Sequence, residues 1–416
     1  MGSHLLVRLL SVLLRGATLL CKFLLIFFLA KFLEPNDVGL YGLLVATVSY
    51  AIFVLGFEFY TYSTRELIGG DGRKWLAMIR DQCVFFIFTY FLFLPFFLMV
   101  FMKGWLPWVY ASWFFLLLTL EHVAQELNRL LIAMSQPLLA SVVLFFRGGA
   151  WCLLLVLIMW VNPEMRKLEV ALAAWSFGVG FSCLLGIYRV LRLDKVSLGQ
   201  GINWGWIGRG LKVAVPLLIA SLAIRGIFTF DRYWVESIAG LDVLGAYVLF
   251  IGIANAVVAF LEAGVIVFLY PKIVAAAKLN DKEAFLDGMK ALSWNVFLVT
   301  LALVGLVWLL SGYLIDWIGK ELYIEGYYLL KWLLLAITLY AVSMIPHVGL
   351  YACGQDKSIL FSQLCGLAAF CLGVYWGAPR FGVVAVPWAL CLSFLLVLIW
   401  KLIAYCSMRN CKSFLV

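Results

Sequence analysis

The sequence predicts an all-α integral membrane fold, with about twelve transmembrane helices in two parallel halves. Three observations carry this: an extreme apolar composition, a succession of span-length apolar stretches, and an internal repeat near half the chain length. Of 416 residues, 65% are apolar and 13% charged, and the mean hydropathy is +1.06. Soluble domains sit nearer half apolar and a quarter charged, so too few polar side chains exist here to cover a water-facing surface. A soluble enzyme, a disordered chain and a secreted disulfide scaffold are thereby excluded. The apolar stretches far exceed the roughly 10 residues of a barrel strand, so they read as helices.

Twelve helices are expected near 5–33, 39–60, 81–102, 108–131, 138–161, 170–190, 211–235, 243–270, 290–312, 327–350, 359–378 and 383–405. The even-numbered connections and the C-terminus hold about 17 Lys and Arg, Lys195, Arg409 and Lys412 among them, against about 6 in the odd-numbered ones. Positive residues concentrate on the cytoplasmic side, so both termini are expected there. Trp105, Trp108, Trp160, Trp317 and Trp376 fall at the expected outer ends, as an interfacial belt would. The first apolar run is too long, and too charged, for a cleavable signal peptide. Residues 1–190 form the expected N-terminal six-helix bundle, 191–210 a cytoplasmic linker and 211–416 the C-terminal bundle.

Three short matches define the repeat. Asp37-Val38-Gly39-Leu40-Tyr41 resembles Asp242-Val243-Leu244-Gly245-Ala246-Tyr247. Ala133-Met134-Ser135-Gln136 resembles Ala352-Cys353-Gly354-Gln355, and Val170 to Trp175 resembles Val383 to Trp388. The offsets are 206, 219 and 213. Six helices per half keep both halves in one orientation, which makes the repeats parallel and suggests a substrate path between them.

Charges inside the spans point to what is carried. The first helix holds Arg8, Arg15 and Lys22 at intervals of seven, which places them on one stripe. The seventh holds Arg225 and Arg232, again seven apart, and the fifth holds Arg147. A central charge costs about 2.5–3.5 kcal/mol on insertion scales, so the stripe should face water, protein or an anionic substrate. Arg8 and Arg232 can alternatively snorkel to headgroups. Span acids are Glu58, Glu121, Glu126, Asp231 and Glu262. Asp231, Glu262 and Glu58 are candidates for proton or sodium coupling, since a carboxylate in a low-dielectric site can titrate near neutral pH. Structural pairing is the alternative, as for Glu126 with Arg129 at i,i+3. His122, four before Glu126, is either a relay member or a plain hydrogen-bonded histidine.

Catalytic and cofactor motifs are missing from the sequence. The ten cysteines, Cys411 included, show no CxxC spacing, so neither a metal site nor a redox pair is expected. No Walker motif, zinc cluster or nucleophile elbow occurs, and Gly148-Gly149 follows no strand, so it reads as a helix contact. No cofactor, no enzymatic activity and no nucleic-acid partner are expected. The absence of a large external loop argues against a membrane glycosyltransferase or polymerase. For such an enzyme only Glu34, Asp37, Asp242 or Asp316 could act as the acid, all on short loops.

The twelve spans, the basic first helix, the turn Leu33-Glu34-Pro35-Asn36-Asp37-Val38-Gly39-Leu40-Tyr41 and the stretch Arg225 to Asp231 after Pro216 resemble one family. It is the polysaccharide-transporter branch of the multidrug/oligosaccharidyl-lipid/polysaccharide exporter (MOP) superfamily, whose bacterial members include the Wzx O-antigen flippases. The resemblance implies a V-shaped bundle whose central cavity is lined mainly by helices one, two, seven and eight. It also implies alternating-access movement of an undecaprenyl-pyrophosphate-linked oligosaccharide to the periplasmic leaflet, coupled to an ion gradient. Arg15, Lys22, Arg225, Arg147, Arg8 and Arg232 would then hold pyrophosphate or acidic sugars. A polysaccharide polymerase and a chain-length regulator would be partners, together with membrane lipid. A cation-coupled small-molecule exporter of the same superfamily is the alternative.

Overall fold

The computed structural model describes residues 2–70, 72–193, 199 and 201–410. The side chains of Arg8 and Arg409, together with Lys195, Cys411, Lys412 and part of the 191–210 linker, lie outside the described residues. Nine helical segments among the described residues are long and apolar enough to cross a membrane. Two of these, Trp204–Lys278 and Asp356–Met408, are interrupted at Gly240 (φ 81°) and Gly382 (φ 57°), so each supplies two spans. One more helix, Ala111–Ala133, is 23 residues long but carries Glu121, Glu126 and Arg129, which dilute its apolar character. Twelve spans result. They are α1 (Gly2–Phe32), α2 (Pro35–Gly56), α3 (Trp75–Met102), α4 (Ala111–Ala133), α5 (Pro137–Val161), α6 (Leu168–Val190), α7 (204–239), α8 (241–278), α9 (Lys282–Ile318), α10 (Tyr328–Ala352), α11 (Asp356–Phe381) and α12 (Ala385–Asn410).

Several helices outrun the apolar stretches that betray them. The ninth extends back to Lys282, where the Asp281 side chain accepts from the Ala284 N–H at 3.0 Å and caps the first turn. That polar turn is helical because of its cap, which hydropathy does not register.

Contacts group the chain into two compact units. One comprises Met1–Phe28 and Leu43–Leu222, the other Leu29–Gly42 and Ala223–Val416. In the first, the Trp151 side chain covers Gly178 and its ring stacks on Trp175 with centroids 6.2 Å apart. In the second, Val397 fills the face of Gly366, whose carbonyl accepts from Ser393 Oγ at 2.7 Å. Small residues of this kind let helices approach without a water-driven collapse. Large apolar side chains point outward, Phe91 and Tyr313 at 78% exposure each, as lipid-facing positions do.

The internal repeat is visible in the backbone. Ser135 (φ 58°) and Gly354 (φ 71°), matched in the sequence, both end a helix in the left-handed region. Each is followed by a glutamine whose N–H reaches five residues back: Gln136 to Leu131 and Gln355 to Leu350, both at 2.9 Å. This is a Schellman-type ending made twice. The repeat-related glycines also meet within the second unit. A Cβ on Gly39 would overlap the Leu241 carbonyl, and one on Gly245 would overlap the Pro35 carbonyl.

Two lysines brace the same unit by capping each other's helices. Lys31, in the last turn of α1, donates to the Trp317 carbonyl at the end of α9. Lys320, just past α9, donates to the Leu33 carbonyl that ends α1. Burial pushes the Lys320 ammonium down from its ordinary range, and nearby Glu34 opposes that shift.

Candidate functional site

In the first unit the cations of α1 lie along α5. Arg15 Nε donates to Ser141 Oγ at 3.3 Å, and that hydroxyl donates to the Pro137 carbonyl at 2.8 Å. Seven residues on, Lys22 lies against Gly148, where a Cβ would overlap the lysine Cε and stand 3.0 Å from Nζ. Thr18, between them, lies 3.2 Å by its Cα from where a Gly149 Cβ would be. Both cation contacts share one offset of 126 residues, the register of two parallel helices. Gly148 and Gly149 sit in a π-turn, Phe146–Ala150, a local widening that often marks functional positions. Lys22 is exposed and Arg15 half-buried, although both are mid-helix. Among the described residues, no carboxylate lies within ion-pair distance of either.

Arg147, on the same π-turn, is placed differently. Its Nε meets Glu121 Oε2 at 2.5 Å and its terminal nitrogen donates to Gln125 Oε1 at 3.1 Å. The other Glu121 oxygen accepts from Trp175 Nε1 at 2.7 Å. This network ties α4, α5 and α6 together, and the arginine's charge is met there. The Glu126–Arg129 pair expected at i,i+3 forms at 2.5 Å, and Gln82 Nε2 donates to the second Glu126 oxygen at 2.9 Å. Glu58 is buried just beyond α2, with φ 53°.

In the second unit, Arg225 on α7 and Glu262 on α8 are both exposed and close enough to interact electrostatically, with the Tyr340 hydroxyl of α10 in the same field. Glu262 opens a second π-turn, Glu262–Ile266. Asp231 is fully buried. Its Oδ2 accepts from Tyr247 at 2.8 Å, and its Oδ1 accepts from the Arg232 N–H at 2.8 Å and guanidinium at 3.1 Å. Arg232 also donates to the Phe228 carbonyl. Both Asp231 oxygens are therefore engaged, Oδ1 within α7 and Oδ2 joining α7 to α8 across the Gly240 break.

Sequence reasoning passed over Lys401. It is only 3% exposed on α12, in the same unit as the half-buried His347 of α10, whose Nδ1 is buried with no partner among the described residues. A lysine flanked by Trp400 and Leu402 in an apolar run was the available signal.

Among the described residues, twelve helical spans bearing mid-span charges give the architecture of a multi-pass membrane protein. The fold is that of the MOP superfamily. The chain is similar to the inward-facing conformation of a multidrug resistance MATE family transporter of that superfamily, with a TM-score of 0.75, 12% identity, and 96% of this chain and 99% of that one covered. A MATE structure in a bent conformation matches with a TM-score of 0.64 and 13% identity over 98% of this chain and 96% of that one. A Pyrococcus furiosus MOP transporter, described as having a binding pocket of reverse polarity, matches with a TM-score of 0.59 and 13% identity over 96% and 95%. By sequence, the chain is 24% identical over 396 residues to a Shigella flexneri protein named "Putative O-antigen transporter", with 87% of this chain and 88% of that one covered. These relatives are named as transporters. No known family profile matches the chain.

Proposed function

We propose that this chain is a flippase carrying an undecaprenyl-pyrophosphate-linked oligosaccharide from the cytoplasmic to the periplasmic leaflet by alternating access, driven by an ion gradient. The observation that carries the reading is the pair Arg15 and Lys22: two mid-span cations, one exposed and one half-buried, aligned along α5 without a carboxylate. Such charges are costly in hydrocarbon and suit an anionic headgroup. Arg15 brings a planar fork matched to phosphate oxygens, and Lys22 a compact point charge. The Shigella relative's name supports a lipid-linked glycan as cargo.

In this reading Arg15, Lys22 and Arg225 bind pyrophosphate or acidic sugar. Asp231 and Glu262 are the candidate coupling carboxylates, with Glu58 behind them, and Glu262 is exposed within the field of Arg225. The protein lies in a bacterial inner membrane with both termini cytoplasmic. Six-helix bundles 1–190 and 211–416 move as the working bodies, beside a polymerase and a chain-length regulator. The exposed Glu262 also favours a second reading, cation-coupled export of a small molecule.

Complementation separates the two. In a bacterium lacking its own O-antigen transporter, the chain should restore surface glycan, while Arg15→Ala and Arg225→Ala insert normally and do not. Normal glycan from both variants would sink these roles. Drug resistance without glycan rescue would favour the exporter.

A further inference from the structure

We propose that the second unit holds a binding site for a single-atom anion, a halide such as chloride, between Lys401 of α12 and His347 of α10. The site goes beyond the transport reading and does not rest on it. Three observations carry it: a lysine buried within an apolar span, the helix register that sets it against a histidine, and a nitrogen of that histidine without a partner.

Lys401 is buried, although its neighbours Trp400, Leu402 and Ile403 are exposed as lipid-facing residues are. It lies nine residues before α12 ends at Asn410, about 14 Å along the axis. That is farther than a lysine stem reaches, so snorkelling cannot bring the ammonium to the helix end. Among the described residues, no carboxylate lies within ion-pair distance of it and no group accepts a hydrogen bond from it. An ammonium taken out of water and left uncompensated is among the costliest groups a span can hold. An anion beside it removes that cost.

The register of two parallel helices places the histidine. Trp332 of α10 meets Trp388 of α12 with ring centroids 5.5 Å apart, and Tyr340 meets Phe394 at 5.1 Å. Farther along, the Tyr405 ring covers Gly349. The residue offsets are 56, 54 and 56. Seven residues on from Tyr340 and Phe394 come His347 and Lys401, again 54 apart. Seven residues are nearly two turns, so each stays on the face of the contact before it. Lys401 is also four before Tyr405, on the stripe that meets α10, whereas Val397 turns to Gly366 of α11. The two side chains are close enough to interact electrostatically.

The chemistry of the pair selects an anion. Were His347 Nδ1 an acceptor, it would take a hydrogen bond from the ammonium, but that nitrogen is buried with no partner among the described residues. A neutral imidazole can instead carry its proton there and donate it. Lys401 and His347 then present donors only, and what satisfies both is an acceptor that bears negative charge. Glu262 of α8 does not serve. It lies in the field of Arg225 and of Tyr340, two turns from His347. With Lys401 so enclosed, a single-atom anion fits in preference to a phosphate or a lipid headgroup. Held there, it joins α10 to α12 much as Asp231 joins α7 to α8.

Thermal unfolding of the purified protein in detergent, in sodium chloride and in sodium gluconate at equal ionic strength, tests the site without any transport assay. The wild type should melt higher in chloride, with a shift that rises with chloride concentration at constant ionic strength, as a ligand bound to the folded state requires. Lys401→Met should melt alike in the two salts. His347→Phe should need about tenfold more chloride for the same shift, having lost one hydrogen bond to a charged group. Should Lys401→Met fail to fold, Lys401→Arg must keep a chloride shift with an altered concentration dependence. Crystals soaked in bromide should show an anomalous peak beside Lys401 Nζ. A wild type that melts alike in both salts would overturn the proposal, and so would a chloride shift that survives undiminished in Lys401→Met. Either outcome leaves the flippase reading where it stood.

Discussion

Arg15 and Ser141 face each other across α1 and α5 at 3.3 Å, and the same register recurs seven residues on, where Lys22 lies against Gly148. The two glycines of the π-turn let α1 approach, so the lysine stem rests on backbone while its ammonium stays exposed. A side chain at Gly148 would have to displace Lys22. Gly148→Leu is therefore expected to abolish glycan export while the protein still inserts, and Gly148→Ala to weaken it. Surface-glycan staining beside a membrane-fraction blot checks both.

Arg147 should behave unlike Arg15. Removing its guanidinium leaves Glu121 buried and unpaired, so Arg147→Met is expected to cost about 3–5 kcal/mol of stability. The double variant Arg147→Met/Glu121→Gln should recover much of it. Arg15→Ala loses one hydrogen bond to a hydroxyl, about 0.5–1.5 kcal/mol, and should melt near the wild type. Thermal unfolding in detergent distinguishes the three.

The second unit offers a matching contrast. Asp231→Ala strands the Tyr247 hydroxyl and the Arg232 guanidinium, and should destabilise the unit by roughly 3–5 kcal/mol. Tyr247→Phe should cost less, about 1–3 kcal/mol. Glu262→Gln, at an exposed position, should leave melting unchanged and remove the gradient dependence of transport. Loss of stability in Glu262→Gln with unaltered coupling would reverse these assignments.

The close approach of Gly39 to Leu241, and of Gly245 to Pro35, admits no side chain. Gly245→Leu and Gly39→Leu should each reduce folded protein sharply. Fluorescence-detected size-exclusion chromatography reads that loss, whereas Gly16→Ala, with open space around it, should be neutral.

The spans and the repeat were legible because both follow from local sequence. Apolar length marks a helix that must satisfy its own backbone in lipid, and the matched tetrapeptides at 133–136 and 352–355 build the same helix ending. The pairing of charges was legible only where partners share a helix, as Glu126 and Arg129 do. Arg147 with Glu121, 26 residues apart, and Lys31 with Trp317, 286 apart, are products of packing that no spacing rule reports. The sequence lists Arg147 and Glu121 as two separate span charges, and only the packing shows that they meet. Lys401 and the unpartnered His122 nitrogen went unseen for the same reason, since burial of a polar atom is a property of its neighbours.

The central claim is that Arg15 and Lys22 bind the anionic part of a lipid-linked oligosaccharide during its passage. Its most direct test is a reconstituted liposome assay that reads the leaflet exposure of such a substrate over time. The account predicts protein-dependent transfer that is lost in Arg15→Ala and Lys22→Ala and kept in Gly16→Ala. Transfer by both cation variants at the wild-type rate would contradict it.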